Sequence, residues 1–208
     1  MTARFITVEG IEGAGKSSNI AFIKQQLLAA KKDVVVTREP GGTPLGEQIR
    51  DVLLSHRNDG MAVDTELLLM FAARAEHLAC VIRPALEAGQ WVLCDRFTEA
   101  TYAYQGGGRG IPEQRIAELE EWLQGALRPD LTLLLDVPPA LGLERAGRRN
   151  ANLDRFESEQ LAFFERVRAD YLRQAEVHRD RYCVIDATQE LSTVQVHISQ
   201  ALDTILHA

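Results

Sequence analysis

Hydrophobic and polar positions follow two different patterns along the chain. Short runs rich in β-branched and aromatic residues predict β-strands at residues 4–9, 34–37, 91–94, 131–137 and 182–185. Between them, apolar residues recur every three or four positions, which predicts helices at residues 16–30, 44–54, 65–88, 112–127, 157–177 and 191–206. Strands that alternate with helices are typical of a parallel sheet with helices on both faces. The pattern therefore predicts a single three-layer α/β domain over residues 1–208, built on a five-stranded parallel sheet.

Composition narrows the class of protein. At 46% hydrophobic residues the chain can form a sizeable core. No stretch approaches the roughly 18 to 20 consecutive apolar residues that span a bilayer, and the first residues lack the regions of a signal peptide. The cysteines Cys80, Cys94 and Cys183 are odd in number and lack metal-ligand spacing, so we expect buried free thiols. These features predict a cytoplasmic protein without a membrane partner.

The charge balance argues against a nucleic-acid partner. The formal net charge is −7, whereas general nucleic-acid-binding proteins usually carry a basic surface. Arginine is nevertheless dense in a few segments, which indicates local sites for small anions. The alternative for any one of these arginines is a solvated surface charge. The arginines concerned are Arg38, Arg50, Arg74, Arg96, Arg109, Arg148 and Arg149.

The loop after the first predicted strand carries a glycine-rich motif. Residues 10–17 read Gly-Ile-Glu-Gly-Ala-Gly-Lys-Ser and match G-x-x-x-x-G-K-[ST] between a strand and a helix. The glycines let successive backbone N–H groups point into one concavity that binds phosphates. Lys16 adds a cation for these phosphates, and the Ser17 hydroxyl is suited to bind Mg²⁺. The predicted ATP-binding residues are Gly10, Ile11, Glu12, Gly13, Ala14, Gly15, Lys16 and Ser17.

Residues at the ends of two later strands favour a kinase over other P-loop proteins. The third predicted strand ends in Asp95-Arg96, where Asp95 can hold Mg²⁺ through its waters and Arg96 can bridge donor and acceptor phosphates. Asp136 ends the fourth strand without the adjacent glutamate that ATPases use to activate water. The chain also lacks the Asn-Lys-x-Asp motif that reads guanine. We therefore expect phosphoryl transfer to a small phosphorylated acceptor.

Further motifs resemble the signatures of bacterial thymidylate kinases. They are Thr-Arg-Glu-Pro-Gly-Gly-Thr at 37–43, Asp-Arg-Phe at 95–97, Tyr-Gln-Gly-Gly-Gly-Arg-Gly at 104–110, Arg-Pro-Asp-Leu-Thr at 128–132 and Leu-Asp-Arg at 153–155. Together with the glycine-rich loop, they cover essentially the whole chain in the right order. The resemblance implies a P-loop kinase fold, a homodimer, and Mg²⁺-dependent transfer of the ATP γ-phosphoryl group to dTMP on the route to dTTP.

The resemblance also implies roles for acceptor-site residues. Glu12 would accept a hydrogen bond from the deoxyribose 3′-hydroxyl, and Arg74 would donate one to O4 of thymine. Many members have an aromatic residue four positions before this arginine to stack on the base. That position is Met70 here, so Phe71, three positions before, is the predicted stacking residue, with core packing as its alternative. The expected dTMP-binding residues are Glu12, Glu39, Arg50, Phe71, Arg74, Arg96, Thr101, Tyr104 and Gln105.

Residues 143–155 form a basic segment that resembles the lid of these kinases, with a solvated loop as the alternative. Some members carry an arginine in the P-loop at the position of Gly13; here Arg148 or Arg149 is expected to supply that charge to the γ-phosphate.

Residues 186–189 resemble the loop beside adenine. No general base is expected, because an acceptor phosphate is already a nucleophile. The predicted catalytic residues are Lys16, Arg96, Arg148 and Arg149.

Two other functions stay open on sequence grounds. A related kinase could act on another nucleoside monophosphate or on a deoxynucleoside, although a 5′-hydroxyl acceptor calls for a general base. A P-loop ATPase switch would instead hydrolyse ATP in response to a macromolecular partner. The expected partners are the small molecules ATP and dTMP.

Overall fold

The computed structural model describes residues 3–58, 60–149, 154–157 and 159–206, and of Arg148 and Arg149 only the helical backbone. The described residues form a five-stranded parallel sheet in the order β2-β3-β1-β4-β5. Its strands are β1 (Phe5–Glu9), β2 (Val34–Arg38), β3 (Trp91–Asp95), β4 (Leu131–Asp136) and β5 (Tyr182–Asp186). The predicted α/β class and parallel sheet are confirmed.

Helices connect successive strands, as the periodicity predicts. They are α1 (Lys16–Ala29), α2 (Pro44–Leu54), α3 (Val63–His77), α4 (Arg83–Glu87), α5 (Thr98–Thr101), α6 (Glu113–Gln124), α7 (Pro139–Arg149), α8 (Leu161–Val177) and α9 (Leu191–Leu206). A 3₁₀ turn covers His56–Asn58, and π-helical segments cover Leu78–Ile82 and Tyr102–Gly108. The two π-helical segments join α3 to α4 and extend α5, so the chain stays helical there with a wider turn.

Three predicted boundaries are wrong. The helix expected at 65–88 consists of α3, a π-helical segment and α4. The basic segment expected to be a loop is helical as far as residue 149. The helix expected from residue 157 begins at Leu161, because the Asp154 carboxylate accepts hydrogen bonds from the N–H groups of Phe156 and Glu157, both at 2.9 Å, and closes a turn before it.

The sheet is most deeply buried at its centre. All residues of β1 are buried, because β3 and β4 flank the strand and helices cover its faces. The edge strands β2 and β5 have partly exposed positions. The carboxyl ends of the strands lie side by side, with Asp95 of β3 opposite both Val8 and Arg38. In an open parallel sheet ligands bind at this edge, so the loops after β1, β2 and β3 meet where a site is expected.

The cysteines are free thiols, and one prediction about them is wrong. Cys94 is buried in β3, and burial raises the pKa of its thiol well above the usual value. Cys80 is exposed and Cys183 is half-buried, although burial was expected for both. The π-helical segment that carries Cys80 turns Leu78 and Ile82 into the core, and the cysteine lies on the opposite side. Within the described ranges, no helix has the length and apolar character needed to cross a membrane.

Candidate active site

A cleft opens at the carboxyl edge of the sheet, between the glycine-rich loop and the helices α2, α3 and α5. It contains most of the predicted site residues. Gly10, Ile11, Ala14 and Phe71 do not line it, and Arg38, Met70, Phe97 and Phe156 line it although no role was predicted for them. The predicted residues that line the cleft are Glu12, Gly13, Gly15, Lys16, Ser17, Glu39, Arg50, Arg74, Asp95, Arg96, Thr101, Tyr104 and Gln105.

The glycine-rich loop has the backbone shape that its sequence predicts. Gly13 and Gly15 have φ values of 73° and 86°, in the left-handed region, and α1 begins directly afterwards at Lys16. The Lys16 ammonium group donates to the carbonyl oxygens of Gly10 and Ile11, at 2.9 and 3.1 Å. Ile11 and Ala14 are buried in the core, so only their backbones can face a phosphate. The loop thus presents N–H groups and one mobile cation to the cleft.

The electrostatic environment of Lys16 makes its charge sensitive to pH. Burial lowers the pKa of this side chain to about 8, and the positive charge of Arg96 acts in the same direction. The carboxylates of Asp95, Glu12 and Glu9 oppose that shift. Lys16 is therefore mainly protonated at neutral pH, and its ammonium group lies among charges that a bound phosphate would rearrange.

Arg96 lies at the centre of a network of charged and aromatic side chains. Its guanidinium donates to Glu12 Oε1 at 2.7 Å and to the Tyr171 hydroxyl at 3.2 Å, and it stacks 4.7 Å from the centroid of the Tyr104 ring. The Tyr104 hydroxyl donates to both oxygens of Glu12, at 2.8 and 2.7 Å. Arg96 also has a φ of 69°, which is unfavourable for a residue with a side chain. The surrounding contacts therefore hold this guanidinium in one position despite backbone strain.

Glu9, at the end of β1, lies buried behind Arg96. One of its oxygens accepts from the Phe97 N–H at 2.7 Å, and the other accepts from the Tyr171 hydroxyl at 2.8 Å. Burial, followed by the negative charge of Glu99, raises the pKa of Glu9 to about 8. Sequence reasoning assigned Glu9 no role, because it appears only as the last residue of a strand.

A second network joins the loop after β2 to α3. Glu39 is buried and accepts from Arg74 Nε at 2.7 Å and from His77 Nδ1 at 2.9 Å. His77 Nε2 lies 2.6 Å from the Thr37 hydroxyl, so both ring nitrogens of His77 have a hydrogen-bond partner. Arg74 Nη2 donates to Thr101 at 3.0 Å. Both oxygens of Glu39 are thus engaged by protein groups, and Glu39 holds Arg74 in position at the wall of the cleft.

Arg74 presents one nitrogen for a ligand. Its Nη1 atom is buried and has no hydrogen-bond partner among the described residues. The guanidinium lies between the rings of Phe71 and Phe97, 4.9 and 5.3 Å from their centroids. Because an unpaired buried donor is costly, this atom indicates that an acceptor group binds here.

The placement of Phe71 corrects the sequence prediction. Phe71 packs in the core with Leu67, Ile111 and Ile116, beneath the Arg74 guanidinium. Met70 lines the cleft instead. Residues 70 and 74 are one helical turn apart and face the same side, whereas residue 71 is rotated toward the core. The core-packing alternative for Phe71 is therefore correct.

Arg38 and Arg50 add positive charge at the mouth of the cleft. Arg50 donates to the Pro40 carbonyl at 3.0 Å, and burial lowers the pKa of its guanidinium. Arg38 donates to Glu47 at 2.6 Å and remains half-exposed. Together with Lys16 and Arg96 they give one side of the cleft a concentration of positive charge that suits an anion. The net charge of −7 for the whole chain does not reveal this local cluster.

The metal prediction is compatible with the donor groups present. Asp95 Oδ1 is buried and lacks a hydrogen-bond partner among the described residues, and Ser17 lines the same cleft. Among the described residues, no cluster of three or more His, Cys, Asp or Glu side chains is arranged to hold a metal ion. Mg²⁺ suits such a site, because it is commonly held by one or two protein ligands together with nucleotide phosphates and waters.

Glu66, a buried carboxylate on α3, holds the far end of the predicted lid segment. It accepts from Gln105 at 2.9 Å, from Arg109 at 3.2 Å and from Arg155 at 2.6 Å. Arg155 is itself buried and donates to the Leu53 carbonyl at 2.8 Å. Residue 155 is therefore packed in the interior and is not part of a solvated lid, while the side chains of Arg148 and Arg149 lie outside the described residues.

The first turn of α7 touches the P-loop through two glycines. A Cβ atom on Gly13 would lie 1.9 Å from the carbonyl oxygen of Gly142, and one on Gly142 would lie 2.6 Å from the carbonyl oxygen of Glu12. Such distances leave no room for a side chain. An arginine at position 13, as in some of the kinases that the motifs resemble, would therefore displace α7.

Comparison with known proteins adds to these observations. The family model described as thymidylate kinase matches residues 8–198. A thymidylate kinase of Pseudomonas syringae pv. tomato is 57% identical over 206 residues, covering 99% of this chain and 98% of its own. One of Teredinibacter turnerae is 56% identical, covering 99% of this chain and all of its own. The crystal structure of thymidylate kinase from Ehrlichia chaffeensis superposes with a TM-score of 0.79 at 31% identity, over 98% of this chain and 99% of that one.

Proposed function

The chain belongs to the thymidylate kinase family and is an ATP-dependent dTMP kinase, and we propose that the cleft described above is where it binds both substrates. The observation that carries the proposal is that Lys16, Arg96 and Arg74 line a single cleft, and that Nη1 of Arg74 is buried without a hydrogen-bond partner among the described residues. The P-loop end suits the triphosphate of ATP, and the Arg74 end suits a nucleobase carbonyl. A γ-phosphoryl group and an acceptor phosphate would then meet near Arg96.

On the donor side, we propose that the P-loop N–H groups and Lys16 bind the β- and γ-phosphates. Ser17 and Asp95 are the residues that would hold Mg²⁺. When bound, the ion supplies charge neutralisation on the phosphate oxygens. The loop at residues 186–189 is stabilised by Thr188 and Gln189, which donate to Asp186. We propose that this loop borders adenine.

On the acceptor side, Arg96 with Arg50 and Arg38 would bind the dTMP phosphate, since all three line one side of the cleft. Glu12, held by Arg96 and Tyr104, would accept from the 3′-hydroxyl. Thr101 and Gln105 line the cleft beside Arg74, where thymine O4 would accept from Nη1.

The chemistry then needs alignment and charge neutralisation more than proton transfer. The acceptor phosphate is mostly dianionic at neutral pH, so its oxygen can attack without a base. Lys16 and Arg96 would neutralise the charge that spreads over the transferring phosphoryl group, and closure of the lid would exclude water from the reacting groups.

A substrate panel tests the proposed acceptor. We expect turnover with dTMP to exceed turnover with dCMP or AMP by at least about a hundredfold, because a donor that faces a carbonyl group rejects an amino group. Thymidine should be turned over at least about a hundredfold more slowly too, because it lacks the phosphate that the arginines would bind. The nucleotide dUMP lacks only the methyl group of thymine. One such group contributes about 1 to 3 kcal/mol to discrimination between substrates, so dUMP should be a slow substrate. A coupled assay for ADP measures this. Equal turnover of thymidine would indicate a deoxynucleoside kinase, and ATP hydrolysis that ignores dTMP would indicate an ATPase switch.

Met70 and Phe71 form a matched pair for testing the base site. We expect Met70→Ala to raise KM for dTMP by about fivefold while KM for ATP stays the same, because only Met70 lines the cleft. Phe71→Leu should instead cost about 1–2 kcal/mol of unfolding free energy, since Phe71 is a core residue. Steady-state kinetics and urea unfolding separate the two effects. A larger change in KM from Phe71→Leu than from Met70→Ala would contradict this assignment.

Arg148 and Arg149 are proposed to contact the γ-phosphate when the lid closes. Replacing both by alanine should lower kcat by about 10² with little change in KM for dTMP, because the contact would form mainly in the reacting state. Arg166→Ala, which removes an arginine that contacts Gly108 outside the cleft, is the control. A kcat within about threefold of the parent would mean that the basic segment is only a solvated part of α7.

We also propose that the protein is a homodimer that acts in the cytoplasm. Exposed apolar residues on neighbouring helices support the dimer, among them Leu68 of α3 at 56% and Trp122 of α6 at 78%. The salt bridge from Asp64 to Arg115 joins those two helices. Light scattering on the purified protein should give twice the chain mass of 23.2 kDa, and a monomer mass would contradict the proposal.

A further inference from the structure

A second cavity lies on the opposite side of α5 from the active-site cleft, between α5, α6 and α8. Its volume is about 220 Å³, several times the roughly 30 Å³ share of one water molecule in the liquid. No residue lines both cavities. The proposed function therefore leaves this cavity unused.

The charged residues of this cavity are paired with one another. The pairs are Glu99 with Arg181 at 2.7 Å, Glu113 with Arg173 at 3.1 Å and Glu120 with Arg128 at 2.9 Å. Because each guanidinium already faces a carboxylate, the cavity does not offer a free positive charge among the described residues, and an anion is not favoured there.

One carboxylate oxygen is left over. Glu99 is only 3% exposed, and its Oε1 accepts from Arg181. Its Oε2 is buried and has no hydrogen-bond partner among the described residues. A buried carboxylate oxygen normally has a donor, so Glu99, which lines this cavity, has an unmet requirement for an N–H group, preferably one with a positive charge.

We propose that this cavity binds a small organic cation, an ammonium or guanidinium ion, whose N–H groups donate to Glu99 Oε2. The ion takes the second oxygen of Glu99 in the way that the Arg181 guanidinium takes the first. The cavity is large enough for an ion of this class.

The site is linked to the active site by one electrostatic interaction followed by two hydrogen bonds. Glu99 acts on Glu9 through space, Glu9 accepts from Tyr171, and Tyr171 accepts from Arg96. A cation beside Glu99 offsets the repulsion between the two carboxyl groups, so Glu9 ionises more readily. The added negative charge behind Arg96 weakens the attraction for the dTMP phosphate, a consequence that rests on the proposed function.

Calorimetric titration with methylguanidinium chloride at pH 7 tests the site. Sodium chloride is added to the protein solution so that its total salt concentration equals that of the titrant. We expect saturable binding in the millimolar range, typical of a weak small-ion site. Glu99→Gln, which keeps the shape and removes the charge, should weaken binding at least about tenfold. Glu113→Gln, at the exposed rim, is the control and should stay within about twofold. Absent saturation in the wild type, or equal binding by Glu99→Gln, overturns the proposal.

Two further measurements use the wild-type protein and do not depend on a variant folding. In crystals soaked with methylguanidinium, density for the ion should lie within hydrogen-bond distance of Glu99 Oε2, and an empty cavity overturns the site. The dissociation constant of dTMP should rise at least about twofold when the ion saturates the protein. An unchanged constant overturns the coupling, whereas failure of the proposed function would leave the binding of the ion intact.

Discussion

Replacing Lys16 by alanine is expected to lower kcat by about a hundredfold or more, because a cation is lost from the charge that develops on the transferring phosphoryl group. The same change removes two hydrogen bonds to the Gly10 and Ile11 carbonyl oxygens. Those oxygens are next to the cleft and can bind water instead, so the fold should survive. Single-turnover kinetics measure the loss, and thermal unfolding checks the fold.

The pH dependence of ATP binding gives a second readout for Lys16. Burial lowers the pKa of this group to about 8, so the free enzyme loses the charge as pH rises through 8. ATP affinity should therefore fall above pH 8 in the parent and change less in Lys16→Ala. Lys24→Ala, on the outward side of α1, is the matched control. A folded Lys16→Ala variant with near-normal turnover would contradict the role given to this residue.

Removing the side chain of Arg96 is expected to lower kcat by about 10² to 10³, because the planar fork that joins donor and acceptor phosphates is lost. The left-handed backbone at this residue, with φ of 69°, allows a matched comparison. Arg96→Ala and Arg96→Gly both lose the guanidinium, but glycine relieves the backbone strain. Arg96→Gly should thus be more stable than Arg96→Ala by about 1 kcal/mol in urea unfolding.

The two Arg96 variants separate catalysis from strain. Both should show equally low kcat, and Arg96→Lys should recover only part of it, since an ammonium group cannot contact two phosphates as a fork. If Arg96→Ala were the more stable of the pair, the left-handed conformation would not be a source of strain. If either variant kept kcat within about threefold of the parent, Arg96 would not contact the reacting groups.

The layout of the fold was predictable because its strands are short and strongly apolar. Five such runs with helical periodicity between them leave few arrangements other than a parallel α/β sheet. The boundaries that failed share a physical cause. Contacts of side chains and local backbone geometry decide where these helices begin and end. For example, the Asp154 side chain closes a turn before α8. The spacing of apolar residues carries no information about such contacts.

The candidate site was predictable where chemistry depends on a local motif and unpredictable where it depends on long-range contacts. Residues 10–17 and Asp95-Arg96 follow strands directly, so their position could be inferred. His77 and Glu66 act through partners 38 and 39 residues away, which neither spacing nor periodicity reveals. Phe71 was misplaced because two adjacent positions on α3 both lie near Arg74, and only the packing of the core decides between them.

The contact between Gly13 and Gly142 makes the P-loop and the first turn of α7 behave as one mechanical part. Backbone meets backbone there without a side chain to absorb a displacement. One turn further on, Arg145 donates to the Ala187 carbonyl at 2.8 Å and fastens the same helix to the loop after β5. If the basic segment swings over ATP, the pivot must lie beyond Arg145. A force applied to the start of α7 would instead be transmitted directly to the backbone that holds the phosphates.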